Sequence, residues 1–356
     1  MTGELKGERF VAGKLRSELL ARTFLKRVGV PSKHVLIGPA LGEDAAVIEL
    51  GEELVLVVHS DPITGAVENI GWLSVHVAAN DLAVTGCKPQ WFTIVVLLPE
   101  NASDEVVEMI SKDIDSALKQ IGAMLVGGHA EYTWGLSRPI TSTTAMGVSK
   151  ADRIVLTRGA RGGDVLIMTK TAALEATSIL ASEYGTLLEA LGMSSKEIER
   201  ARSMISEISV VPEALALAER GLATSMHDPT EGGIIAGALE MAWASGKTVI
   251  LHAERVSLDP VTKKAFEIVG LDPLKSLSSG TLLAAIDREL LDEALKTLSS
   301  IGVKASVIGE FRVGPPRLEV VSNNGVVEVY ESPPTDELIA NEERLQKRKE
   351  ALEGRK

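Results

Sequence analysis

Residues 70–89 read IGWLSVHVAANDLAVTGCKP. Apolar side chains recur at helical spacing from Ile70 to Val84, so the stretch predicts a helix running into a Gly-Cys-Lys-Pro turn. One acid breaks the pattern. Asp81 sits among Val75, Val77, Ala78, Ala79, Leu82 and Ala83. A carboxylate on an apolar helix face is costly to bury unless it is paired or bound to a metal.

Strands and helices alternate outward from this helix. Downstream, Trp91–Leu98 reads as a buried strand, and residues 103–121 as a helix with Ser103 at its N-cap and Asp104 and Glu105 in its first turn. Ala123–Val126 is a short strand that runs into Gly127 and Gly128, and residues 140–148 form another. Upstream, residues 14–28 carry helical periodicity, residues 38–42 form a Gly/Pro loop, and strands at 45–49 and 54–60 flank Gly51. The run TRGARGGD at 157–164 is a composition break and a domain boundary. Beyond it come a strand at 165–169, helices at 172–182, 195–208, 212–220 and 234–244, a strand at 281–286, a helix at 290–300 and a strand at 304–308. From Thr335 the chain is highly charged and predicts an exposed, fraying helix. The class is mixed α/β or α+β, with domains at 1–156 and 157–332 and a tail at 333–356.

Composition narrows the function. The chain has 356 residues, is 45% hydrophobic and carries a net charge of −12. Such a chain has a real core and is a poor general binder of nucleic acid or anionic membrane. Aromatic residues make up 3%, too few for stacking platforms. Any phosphate must therefore be held by backbone N–H groups and metal ions. Cys87 is the single cysteine, so no intrachain disulfide forms. The charged N-terminus is no signal peptide, and no apolar run reaches membrane length; the expectation is a cytoplasmic protein.

Acids stand beside glycines or at element ends. Glu43 and Asp44 follow Gly42; Asp61 ends a strand before Pro62; His129 and Glu131 follow Gly127 and Gly128. His227, Asp228, Pro229 and Thr230 precede Gly232, Gly233 and a helix whose first N–H groups could face an anion. Such positions hold Mg²⁺-like cations and phosphates. Each also has a plainer reading: Asp61 as a turn former, Asp44 as a solvated acid, Asp228 as a helix cap. Gly246-Lys247-Thr248 is not a P-loop, because Met241 stands where the pattern needs glycine. No dinucleotide fingerprint, H-E-x-x-H or G-x-S-x-G occurs.

In order and spacing, seven segments resemble one superfamily: Gly13–Leu15, Gly42–Val47, Ser60–Pro62, Asn80–Ala83 with Gly86–Pro89, Gly127–Glu131, Gly159–Asp164 and Asp228–Gly233. It is the PurM-like superfamily of aminoimidazole ribonucleotide synthetase, thiamine-monophosphate kinase, selenophosphate synthetase and the hydrogenase-maturation carbamoyl dehydratase. The Asp-Pro-Thr-x-Gly-Gly segment and Leu174–Ala181 look most like the dehydratase branch.

The resemblance implies a two-domain chain that dimerises through its N-terminal domains and uses ATP with Mg²⁺ or Mn²⁺. It implies metal ligands at Asp44, Asp61 and Asp81, with Glu43, His129 and Glu131 in the same set. Lys14, Asn80, Gly127, Gly128 and Thr230 would approach the nucleotide. Asp228, with His227 and Glu231, would face the reacting groups.

Three departures qualify this. No cysteine follows Cys87, so the dehydratase branch's chemistry on a C-terminal cysteine is not expected. Glu231 replaces an arginine usual in that branch. His129 replaces an acid; a histidine still binds Mn²⁺ or Zn²⁺ but suits Mg²⁺ less. The leading expectation is a metal-dependent, ATP-using enzyme that activates or phosphorylates an acceptor. The alternatives are a triphosphatase or phosphatase with water as acceptor, and a non-catalytic nucleotide-binding maturation partner that docks through its charged tail.

Overall fold

The computed structural model describes residues 13–65 and 68–354. The first half holds α1 (Ser17–Arg22), β1 (Val35–Ile37), β2 (Ala46–Gly51), β3 (Leu54–Ile63), α2 (Ile70–Ala83), β4 (Trp91–Pro99), α3 (Asp104–Ile121), β5 (Met124–Thr133) and β6 (Ile140–Lys150). The second holds β7 (Val165–Thr169), α4 (Leu174–Glu183), α5 (Gly185–Ala190), α6 (Ser195–Ser203), α7 (Val211–Glu219), β8 (Ala223–His227) and α8 (Gly233–Ser245). It continues with β9 (Thr248–His252), α9 (Pro260–Val269), β10 (Leu283–Ile286), α10 (Leu291–Ser300), β11 (Ala305–Arg312), β12 (Arg317–Val321) and β13 (Val327–Tyr330). The tail forms α11 (Glu337–Ala340) and α12 (Glu342–Glu353).

Two mixed sheets result, as the α/β reading expects. The first has order β1-β2-β3-β6-β4-β5, and its parallel pair β4/β5 is joined by α3 as the crossover. The second has order β13-β12-β9-β11-β7-β10-β8, with β9/β12 its parallel pair. Helix α2 packs on the first sheet and meets α7 of the second half. A single apolar cluster therefore runs from Val55 and Val57 through Ala78 and Leu82 to Ala214, Leu217 and Ala284. A second cluster lies under α8, around Leu166, Leu239 and Phe311. Cys87 is buried, and burial pushes its thiol up to about 12, which fits a packing role.

Three sequence expectations change. The helix expected over 14–28 shrinks to α1 and a following turn at Phe24–Lys26, because no residue of either is buried and a short helix without packing has little to hold it. The strand expected to stop at Val126 continues to Thr133: a bulge after Leu125 carries it past the glycine pair, and a Cβ on Gly128 would sit 2.1 Å from the Ile94 carbonyl oxygen. The tail is docked rather than free. Leu338 and Leu345 bury themselves in a cluster with Leu187, Phe266 and Val269, and Arg344 donates to the Val269 carbonyl at 3.1 Å.

Candidate functional site

Alternation along β3 puts Val55, Val57, His59 and Asp61 on one face. The two valines are fully buried, so that face points inward, toward α2. Helix α2 supplies Asp81, 8% exposed. The loop before β2 supplies Asp44, and it reaches the second half through Gly42. There φ is +80°, and a Cβ would lie 2.8 Å from the Glu240 carbonyl oxygen of α8. The turn after β8 supplies Asp228, 2% exposed.

These groups converge. Ligand atoms of Asp44, Asp81 and Asp228 lie within 4.8 Å of one another, and so do those of His59, Asp61 and Asp81. Asp81 belongs to both sets. Both carboxylate oxygens of Asp228 are buried without a hydrogen-bond partner. Burial, then the Asp81 and Asp44 charges, push the Asp228 pKa well above the usual carboxylate range. Burial, Asp61 and Asp44 do the same to Asp81, and burial raises Asp61. An orphaned buried carboxylate costs several kcal/mol or takes up a proton, unless a cation meets it. The carboxylate set at Asp44, Asp81 and Asp228 fits a hard divalent ion.

A cationic frame surrounds the acids. His227 Nδ1 meets Asp44 at 2.8 Å, and its Nε2 meets Glu240 at 2.9 Å. Burial alone would lower the His227 pKa, but Asp44 and Glu240 outweigh it and hold the ring well above its ordinary value. Glu240 is itself held down to about 2: burial would raise it, and Lys14 and His227 overcome that. The Lys14 ammonium lies 3.7 Å from Glu240 and donates to the Thr230 hydroxyl at 3.2 Å, while the Lys14 backbone N–H donates to Glu231 at 2.6 Å. Lys14, Thr230, Glu231, His227 and Glu240 thus form one rim, its hydrogen bonds joined by the Lys14–Glu240 ion pair.

The N-terminal domain of AIR synthase related proteins matches residues 42–149, and their C-terminal domain matches residues 161–320. The chain belongs to the AIR synthase-related family. It is 27% identical over 304 residues to a hydrogenase expression/formation protein of Methanocaldococcus jannaschii, covering 83% of this chain and 88% of that protein. It is 26% identical over 255 residues to the carbamoyl dehydratase HypE of Escherichia coli, covering 70% and 72%. Among solved structures, the HypE–HypF complex matches at TM-score 0.71 and 19% identity, over 88% of this chain and 99% of that one. HypE in complex with ATP matches at 0.68 and 21%, over 90% and 96%.

Not every expected residue of this AIR synthase-related chain joins the cluster. Glu43 turns to Arg158, 3.5 Å away. Asn80, expected at the nucleotide, is instead fully buried and engaged at both ends of its amide. It donates to the Ile208 carbonyl at 3.0 Å and accepts from the Val210 N–H at 2.8 Å. Gly127 and Gly128 lie within β5, at the edge of the first sheet. His129 and Glu131 are exposed on the same strand and pair with each other at 3.0 Å. Two of the N–H groups expected to be free at the start of α8 are taken: Gly232 donates to Asp336 of the tail at 2.9 Å, and Gly233 to the Thr230 carbonyl at 3.0 Å.

Two site residues escape the sequence reading. Glu240 is an acid inside an apolar helix, the same signal that marks Asp81. His59 is two residues before Asp61 on a strand, hence on its face.

Proposed function

We propose that this protein is a divalent-metal- and ATP-dependent enzyme that activates or phosphorylates an acceptor. The observation that carries the reading is the pair of ligand sets sharing Asp81, with Asp228 buried and unpartnered beside them. Mg²⁺ or Mn²⁺ there would neutralise phosphate oxygens and fix their line of attack. Asp44, Asp61, Asp81 and Asp228 would hold the ions. The His227 ring fixes Asp44 from behind, so that carboxylate keeps its aim without reorganising. The Lys14 ammonium, exposed at the rim, is placed for a phosphate oxygen. Asp228 and Glu231 stand on the same turn at the border between cluster and rim, where an acceptor would meet them. The likeness to HypE in complex with ATP supports the choice of nucleotide.

The assembly we propose is a homodimer. Strand β5 is a ten-residue sheet edge, and Met124, Val126 and Tyr132 on it are exposed. A long apolar edge of this kind is a pairing surface. His129 and Glu131 would then lie at the seam between copies. The HypE–HypF complex supports a protein partner as well, with the outer side of the docked tail as its contact.

The experiment is calorimetry of ATP binding together with phosphate release, in Mg²⁺ and in Mn²⁺, beside Asp44→Asn. Metal-dependent ATP binding that Asp44→Asn weakens at least tenfold supports the reading. ATP binding without metal, or unaltered in the variant, overturns it. Phosphate release without an added acceptor would identify water as the acceptor.

A further inference from the structure

His59 stands in the second ligand set, but the ions proposed above are held by carboxylates and its ring has been given no role there. Its side chain is 22% exposed, and its Nε2 is buried without a hydrogen-bond partner, 3.3 Å from Asp81 Oδ2. That distance lies at the loose end of hydrogen bonding, so the ring nitrogen points at a carboxylate without bonding it well. The other nearby imidazole, His227, has both nitrogens committed to Asp44 and Glu240. His59 is therefore the one ring of the two with a nitrogen to offer. Its strand fixes the aim: Val55 and Val57 anchor the same face of β3 in the core, and Asp61 follows on that face. The neighbouring set at Asp44, Asp81 and Asp228 contains a nine-tenths-buried carboxylate with no partner, and it shares Asp81.

We infer that His59, Asp61 and Asp81 form a second cation site, and that its imidazole selects a first-row transition ion over Mg²⁺. This rests on the proposed cation binding at the acidic cluster. The two sites then differ in chemistry. Asp44, Asp81 and Asp228 offer oxygen alone and suit Mg²⁺, whereas nitrogen at the second site suits a softer ion. Asp81 would bridge the pair, which offsets the repulsion between three crowded carboxylates.

The test uses the full chain, with Mn²⁺ and Mg²⁺ as probes. Titrations by calorimetry and by electron paramagnetic resonance compare wild type with His59→Asn and His59→Thr. Two Mn²⁺ sites are expected in the wild type, one of them with nitrogen hyperfine coupling in pulsed resonance spectra. Both variants should lose that coupling and weaken the second Mn²⁺ site by about 10–100-fold, with Mg²⁺ affinity within about threefold of wild type. A coupling that persists in the variants, a wild type with no nitrogen coupling, or equal losses for both ions would overturn the inference while leaving cation binding intact. A wild type that binds neither ion would overturn the underlying reading as well. Thermal melts of the metal-free variants identify misfolding, and nitrogen coupling in the folded wild type decides the matter without them.

Discussion

The His227 imidazole lies 2.8 Å from Asp44, across 183 residues of chain. Its second nitrogen meets Glu240 at 2.9 Å. One ring at the end of β8 thus ties the loop before β2 to α8, and it does so as a cation between two anions.

Replacing the ring should therefore cost both stability and metal affinity. In His227→Gln, two buried carboxylates lose their counter-charge, for which about 3–5 kcal/mol is typical. Chemical denaturation should report a loss of that order, and cation titration a weakening of about 10–100-fold. A stability within about 0.5 kcal/mol of wild type would show that the ring does not carry charge there.

Asp228 should trade stability for binding. Its orphaned carboxylate is a burden in the metal-free protein, so Asp228→Asn should leave the metal-free chain as stable or about 1–3 kcal/mol more stable. Adding Mg²⁺ should raise the melting temperature of the wild type and leave the variant's nearly unmoved. Equal metal-induced shifts in both proteins would remove Asp228 from the ligand set.

His76 predicts an acid-side loss of stability. It is buried on α2, its ring 4.5 Å from that of Trp72, and burial lowers its pKa from 6.5 to about 4. Between those values the unfolded chain binds the proton and the folded one does not. Stability from this group therefore falls as pH drops from 6.5 to 4, by roughly 3 kcal/mol in all. His76→Met should flatten that part of the curve, as urea midpoints across the range would register.

The tail should matter to the turn that carries Asp228. Asp336 accepts from Gly232 at 2.9 Å and also from the Leu338 and Ile339 N–H groups at 3.0 and 3.1 Å. Asp336→Ala should destabilise the chain by about 1–2 kcal/mol, as the loss of a good helix cap does. Truncation after Pro334 also withdraws Leu338 and Leu345 from their cluster, each worth about 1.5–3 kcal/mol. Its melting temperature should fall well below that of the point variant; equal melting temperatures would mean the leucines contribute nothing.

Much of this is legible in the residues. Asp81 announces itself as a charge among small apolar neighbours, and strands β2 to β7, β10 and β11 follow from alternation and glycine punctuation. β1, β8, β9, β12, β13, α5 and α9 are absent from the sequence reading, although Asp259 and Pro260 mark the start of α9 with a cap and a proline. The site is harder, because convergence is a long-range property. Nothing near Asn80 in the chain tells that residues 208–210 will absorb its amide. Nothing near Gly232 tells that a carboxylate about a hundred residues later will take its N–H. His59 is within reach, since counting by twos from Asp61 lands on it.

The shared core has a thermodynamic corollary. Ala78 and Leu82 of the first half and Ala214 and Leu217 of the second belong to one apolar cluster, so neither sheet can expose its inner face without stripping the other. A chain with two sheets should then melt in one cooperative transition, with the calorimetric and van't Hoff enthalpies equal. Occupying a few carboxylates at the junction would shift the entire curve.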